Sequence, residues 1–299
     1  MNKTNIRNAL LIILYITAGA CELHYTSNES EYAVVDTYLV TDRFLPQIRF
    51  SRTAALFGEF GFDEQGLQDA EIKVSLLAHD GETVEITIHY EENRPGVYYP
   101  SETLTVLPER EYLLEAEHSD FGPIRATTKT PARVQYLSPP PDSISYQSSD
   151  QVDMIVSSKL KPGGLQNVYI FTTISQDPFY EALTPLYRDL FDNSETGLTL
   201  ESLAKNPSGL INEASFERLP DGNIRLRYPW LGLAFYGNNL IVVNSLDRNT
   251  YDFIRSQQVQ LGGSTLSPGE IPNAIYHIDG AIGIFGSLSS DTLHTYVTR

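Results

Sequence analysis

Apolar and polar positions alternate in short runs along most of this chain. Tyr32–Val40, Gln47–Thr53, Ala70–Ala78, Val84–Tyr90, Gly96–Tyr99, Glu111–Glu117 and Ile124–Thr130 follow a period of two and stop at turn residues, the pattern of half-buried strands. Their spacing predicts a small β-sandwich over residues 31–133. The run Pro139-Pro140-Pro141 cannot enter a central strand, so the junction with a second domain, 134–299, is expected there. That domain is predicted to be β-rich, with strands at Gln151–Ser157, Asn167–Ser175, Asn223–Tyr228, Gly232–Tyr236, Leu240–Ser245, Ala274–Phe285 and Thr292–Thr298. A helical insertion is expected near residues 177–205, because Asp177-Pro178 and Thr184-Pro185 each set a capping residue before a proline at the first helical position. Leu183, Leu186, Leu190 and Phe191 fall at helical spacing within it, and a further helix is expected over Asn249–Gln258.

The register of one hairpin follows from the pattern. Ile72, Val74, Leu76 and Ala78 share a face, as do Val84, Ile86, Ile88 and Tyr90, with Asp80-Gly81 between them. A two-residue Asp-Gly loop pairs Leu77 with Val84 and puts the two apolar faces on opposite sides of the sheet. A three-residue loop, Asp80 to Glu82, pairs Ala78 with Val84 and Leu76 with Ile86, so both faces meet the core. A one-residue slip turns every side chain over, and the longer loop is therefore expected.

The first twenty residues break the strand pattern. Lys3 and Arg7 precede an apolar stretch of about ten residues that ends in Thr17-Ala18-Gly19-Ala20 and then Cys21, the only cysteine of 299 residues. This is an export signal, too short to cross a bilayer as a stable helix, which takes about 20 residues. Ala18-Gly19-Ala20-Cys21 resembles a lipobox, with Ala18 where Leu is usual. It is also an acceptable Ala-x-Ala site for ordinary secretion. A lone cysteine at the new N-terminus makes no internal disulfide, so acylation of Cys21 is expected, and residues 22–30 read as a polar tether. The anchor would then replace a transmembrane helix.

The formal charge of −17 becomes two units more negative once Lys3 and Arg7 leave. An acidic chain of this kind repels nucleic acid and anionic lipid. The chain carries few signs of catalytic or metal chemistry. The six histidines show no HExxH and no close ligand spacing, so they are expected at the surface, and no cofactor, metal site or catalytic residue is assigned. Glu111, Glu115 and Glu117 alternate with Tyr112, Leu114 and Ala116, the solvated face of a strand over an apolar one. The glycines of Gly280-Ala-Ile-Gly283-Ile-Phe-Gly286 lack phosphate-loop spacing. They are expected to let a strand approach another backbone, with Ile282, Ile284 and Phe285 in the core. Trp230, the single tryptophan, stands with Tyr228 and Tyr236 among turn residues. The three are the candidate binding residues, since aromatic anchors give large contact area at low entropic cost. The alternative is that Trp230 plugs the core between two sheets.

Cys21, Tyr32-Ala-Val-Val-Asp-Thr-Tyr, Ile48-Arg-Phe-Ser-Arg-Thr-Ala, Gly66-Leu-Gln-Asp-Ala-Glu-Ile-Lys-Val, Pro95-Gly-Val-Tyr, Pro268-Gly-Glu-Ile-Pro-Asn and Gly280-Ala-Ile-Gly-Ile-Phe-Gly-Ser together resemble a lipoprotein family of Bacteroidetes catalogued as domain of unknown function 4249. The first domain also resembles transthyretin-like or carboxypeptidase-regulatory-like modules. The fold class expected is thus mainly β: an immunoglobulin- or transthyretin-like sandwich, then a β-rich domain with a short helical insertion. The resemblance implies a lipid-anchored protein of the cell envelope and outer membrane, periplasmic or surface-facing, often found near TonB-dependent transporters, and supplies no catalytic residues. A non-catalytic accessory or ligand-capturing partner of such a barrel is the first functional expectation. An architectural or adhesive surface protein and an envelope hydrolase are the alternatives.

Overall fold

The computed structural model describes residues 31–54, 61–138, 143–148, 152–161, 165–193, 197–258 and 274–299. The leader, Cys21, the tether, the proline run and the Pro268 segment lie outside them. The fold is mainly β. Residues 31–129 form β1 (Ala33–Val40), β2 (Ile48–Arg52), β3 (Glu71–Leu77), β4 (Val84–Arg94), β5 (Val97–Pro100), β6 (Glu111–His118) and β7 (Gly122–Lys129), each close to its predicted run. They hydrogen-bond in the order β1-β2-β5-β4-β3-β6-β7. Val35 and Phe50 from one end of this path and Leu114 and Ile124 from the other fill one core, so the sheet folds over on itself as a sandwich.

The second part comprises β8 (Tyr136–Ser138), β9 (Ser143–Ser145), β10 (Val152–Val156), β11 (Val168–Ser175), β12 (Lys205–Pro207), β13 (Ile211–Asn212), β14 (Glu217–Arg218), β15 (Ile224–Tyr228), β16 (Gly237–Leu246), β17 (Ile278–Asp279) and β18 (Ile282–Thr298). A small sheet, β14-β15-β10-β8, faces β11, β16 and the end of β18. Met154, Val156, Ile224 and Leu226 from one side meet Phe171, Ile241, Val243 and Leu293 from the other. This is the packing that two inward-facing alternating sheets require.

β18 joins the two cores. Ile282–Leu288 pair in parallel with Val34–Val40, and Leu288–Val297 pair antiparallel with Leu246–Gly237. The sequence pattern predicts two separate extended runs here, because Gly286 and the serines that follow weaken the alternation. The strand runs on through them. The glycine expectation holds: Gly283 lies at φ +107°, and a Cβ there would meet the Val35 carbonyl oxygen at 2.1 Å. Ile284 and Phe285 are buried as expected, while Ile282 is half-buried.

The hairpin is partly as predicted. Leu76 faces Ile86, but a bulge then pairs Leu77 with Val84 instead of Ala78 with Val84. The loop is held by Ala78 N–H donating to the Thr83 carbonyl (2.7 Å) and by Asp80, which accepts from the backbone of Glu82 and Thr83 and from the Thr83 hydroxyl. The Thr83 hydroxyl bond, with those backbone bonds, lowers the Asp80 carboxyl to about 2. Only Ile88 and Tyr90 reach the core; Val84 and Ile86 stay 48% and 41% exposed. β5 pairs with Tyr90–Arg94 alone, which leaves the turn end of β4 an edge.

The histidine expectation fails at His118. This ring is buried edge-on to Phe50 and beside Phe121, and its Nδ1 accepts the Asp120 N–H at 3.1 Å. A short local turn thus satisfies a polar atom that sequence spacing gives no reason to bury.

Candidate functional site

The sequence-predicted aromatic site starts where β15 ends. Pro229 offers no N–H to continue a ladder, and the chain turns once through a 3₁₀ segment, Trp230–Gly232, in place of the strand expected over Gly232–Tyr236. Of that run only Phe235 retains a bridge, to Leu183. Tyr228 is buried in the second core, its hydroxyl 2.6 Å from Thr173 Oγ1, and burial raises its pKa. It therefore holds the sheets together and is not available to a ligand.

Trp230 and Tyr236 are half-buried at the rim of that core. Tyr146 stands edge-on to both, with ring centroids 5.4 and 5.5 Å away, and the Arg299 guanidinium lies over Tyr236 at 5.6 Å. Trp230 is neither a full core plug nor a free anchor; its neighbour Leu231 is 60% exposed.

The helical insertion binds this turn. Asp177-Pro178 leads to no more than a 3₁₀ turn, Tyr180–Ala182, whereas Pro185 does open a helix, Pro185–Asn193. The Thr184 hydroxyl donates to the carbonyls of Leu233 and Ala234 instead of capping the helix. Tyr187 donates its hydroxyl to the Leu231 carbonyl at 2.7 Å. Asn206 Nδ2 donates to the Tyr187 oxygen and to the carbonyls of Leu231 and Gly232. These bonds fix the roll of the helix. Leu183 and Tyr187 face inward with Phe191 packed beside them, so the expected apolar face is rotated. Leu186 and Leu190, one turn apart, are left 41% and 46% exposed, and Phe179 51%. Helical spacing alone put Leu186 and Leu190 on the buried stripe. What moves them out is the reach of Tyr187 to a carbonyl 44 residues along the chain, which no local pattern encodes.

A second cluster was not singled out by the sequence. Glu213, 5% exposed, accepts hydrogen bonds from Ser158 Oγ (2.9 Å), Asn167 Nδ2 (3.0 Å) and Arg218 (2.7 Å). Burial pushes its carboxyl up, but the Asn167 and Ser158 bonds and the Arg218 charge outweigh this and leave it below 4.5. A carboxylate with a lowered folded pKa stabilises the fold above its unfolded value, and that contribution disappears as pH falls through the folded value. Glu213→Gln is therefore expected to unfold with a shallower pH dependence than the parent below pH 4.5, measured by urea midpoints across an acid series. Equal slopes for the two proteins would contradict this.

Among the described residues no group of three or more His, Cys, Asp or Glu stands together to hold a metal, and no helix is long and apolar enough to cross a membrane. His277 and Asp252 come from distant segments and meet at 2.9 Å, with Arg248 on the same oxygen. It is a surface charge cluster.

The family model described as "Domain of unknown function (DUF4249)" matches residues 21–294, and the chain belongs to that family. No curated protein matches it. Among solved structures, the three N-terminal domains of the bacteriophage RB49 highly immunogenic outer capsid protein align at 10% identity. The match covers 89% of this chain and 70% of theirs, with a TM-score of 0.24. Trypsin-activated alpha-2-macroglobulin from Escherichia coli aligns at 10% identity over 89% of this chain and 16% of its own, at 0.23. The Dpr2 Ig1-Ig2 complex with DIP-Theta Ig1-Ig3 aligns at 7% identity, covering 90% and 99%, at 0.24.

Proposed function

We propose that this protein is a non-catalytic, lipid-anchored accessory of the outer membrane that docks onto an integral envelope partner, a TonB-dependent barrel being the partner its resemblance implies. Cys21 carries the acyl chains, and the face formed by the helix Pro185–Asn193 and the Trp230 turn carries the contact. The observation that supports this is the outward placement of Phe179, Leu186, Leu190 and Leu231 on segments held to one another by the Tyr187 and Asn206 bonds. Large apolar side chains gathered on a surface and flanked by aromatic residues favour protein contact.

The test is affinity capture from membranes extracted with mild detergent. The parent is expected to bring down an outer-membrane barrel, with Cys21 acylated by mass spectrometry. Leu186→Glu with Leu190→Glu is expected to lose the barrel while the melting temperature moves by no more than about 2 °C, because exposed positions cost little. Trp230→Ala is expected to weaken capture and also to cost about 1–2 kcal/mol, less than a fully buried aromatic. A parent that elutes as a free monomer, or a double variant that captures as well as the parent, overturns the proposal.

A further inference from the structure

A cleft of about 430 Å³ opens where β11 begins and β16 ends, between the helix Arg248–Gln258 and the residues Lys161, Leu165 and Gln166. Leu165, Val168, Leu246 and Tyr251 make its apolar walls, and Lys161 stands at its edge. A smaller hollow of about 240 Å³ also takes Lys161 and Leu165 and ends at Phe216 and Arg218. The volume is that of an ordinary small-ligand site, and the mixture of apolar wall with a few polar groups is the usual one.

Its charges are unequal in a useful way. Every carboxylate around the cleft is already engaged. Asp247 accepts from Thr128, Asn249, Thr250 and Ser287. Asp252 holds Arg248 and His277, and Glu213 holds Arg218, Asn167 and Ser158. Lys161 is half-buried and has no hydrogen bond or ion pair within reach among the described residues. Glu213 and Asp247 act on its charge only from a distance, and burial holds its amine below the usual range. Its Nζ is not one of the fully buried polar atoms that lack a partner, so an anion entering the cleft can reach the ammonium without displacing an acceptor of the protein.

We propose that this cleft binds a small organic carboxylate, its anionic end on the Lys161 ammonium and its apolar part against Leu165, Val168, Leu246 and Tyr251. A free aliphatic acid and the C-terminus of a short peptide present the same chemistry. The site stands independently of the docking face, which lies on other elements.

Calorimetric titration of the full mature protein separates the sources with three probes: hexanoate, acetyl-leucyl-leucine, and the same dipeptide as its amide. Saturable binding of one or both free acids, with the amide failing to bind, is the expected result. Binding of both acids assigns the site to apolar carboxylates in general, and binding of the dipeptide alone assigns it to peptide ends. Lys161→Met keeps the length of the side chain, and it should weaken binding about tenfold or more, the loss of one charge-assisted hydrogen bond. Lys161→Arg should retain most of the affinity, and neither variant should shift the melting temperature. The proposal is overturned if neither acid saturates, if the amide binds as tightly as the acid, or if Lys161→Met binds like the parent.

Discussion

Gly283→Ala is expected to yield no folded protein. Gly283 pairs with Val35 in the parallel ladder between β1 and β18, at φ +107°, with the Val35 carbonyl oxygen 2.1 Å from where a Cβ would stand. The obstacle is backbone, so it cannot swing aside as a flexible side chain could. Relieving it means parting the two strands, and that removes Phe285 from the first core as well. The cost should exceed about 4 kcal/mol, a large share of the 5–15 kcal/mol that a domain typically has. Gly237→Ala is the control. Gly237 also has positive φ, at +89°, yet nothing stands within 4 Å of a Cβ there. That variant should lose about 1 kcal/mol from backbone strain alone. Soluble yield and thermal unfolding by circular dichroism measure both, and a Gly283→Ala protein melting within a few degrees of the parent would show that β18 does not need this close approach.

Strand positions in the first part were legible because several strands, such as Ala33–Val40 and Gly122–Lys129, keep one face on the core and the other more exposed. Glu111–His118 shows the same with one exception: Tyr112, Leu114 and Ala116 are buried and Glu115 and Glu117 are not, but Leu113 on the carboxylate face is buried too. The glycines of β18 were legible in role for a different reason, since their spacing is not that of a phosphate-binding loop and close backbone approach was the reading left. What the pattern could not carry was anything decided by distant partners. The roll of the helix Pro185–Asn193 depends on a carbonyl at Leu231. The turn at Trp230 replaces a strand because Pro229 ends the ladder and the Thr184 hydroxyl takes the next free carbonyls. For the same reason the candidate aromatic site was half-legible. Trp230 and Tyr236 do sit at a rim, but Tyr228, two residues before Trp230, points into the core to reach Thr173. The Lys161 cleft has no sequence signature, because Lys161, Val168, Leu246 and Tyr251 come together only when the helix Arg248–Gln258 packs against β18 and β7.

Asp247→Ala is expected to cost about 3–5 kcal/mol and to divide one unfolding transition into two. Asp247 follows the last residue of β16 and precedes the helix Arg248–Gln258. One oxygen accepts the N–H groups of Thr250 (2.9 Å) and Ser287 (3.1 Å), and the other accepts the Thr128 hydroxyl (2.7 Å) and the Asn249 N–H (3.2 Å). Two of these bonds cap the helix. The other two tie it to β18 and to β7, and so join the second part of the chain to the first. Asn249 strengthens the same junction, its side-chain amide donating to the carbonyls of Thr127 and Phe285. Alanine leaves three backbone N–H groups, those of Asn249, Thr250 and Ser287, facing a buried gap. Loss of a cap typically costs about 0.5–2 kcal/mol, and each buried donor left unpaired adds about 1–3 kcal/mol, part of which water entering the gap recovers. Asp247→Asn keeps one acceptor oxygen and should lose about half as much. The Thr128 hydroxyl keeps Ser287 Oγ at 2.9 Å in either variant, so the seam is weakened without being emptied. Because the bonds lie between the two cores and not within either, each core should keep its own cooperativity once they are gone. Calorimetry of the parent should then show a single transition and of Asp247→Ala two. A variant that melts in one transition at the parent's temperature would mean that β18 alone, and not this carboxylate, couples the two halves.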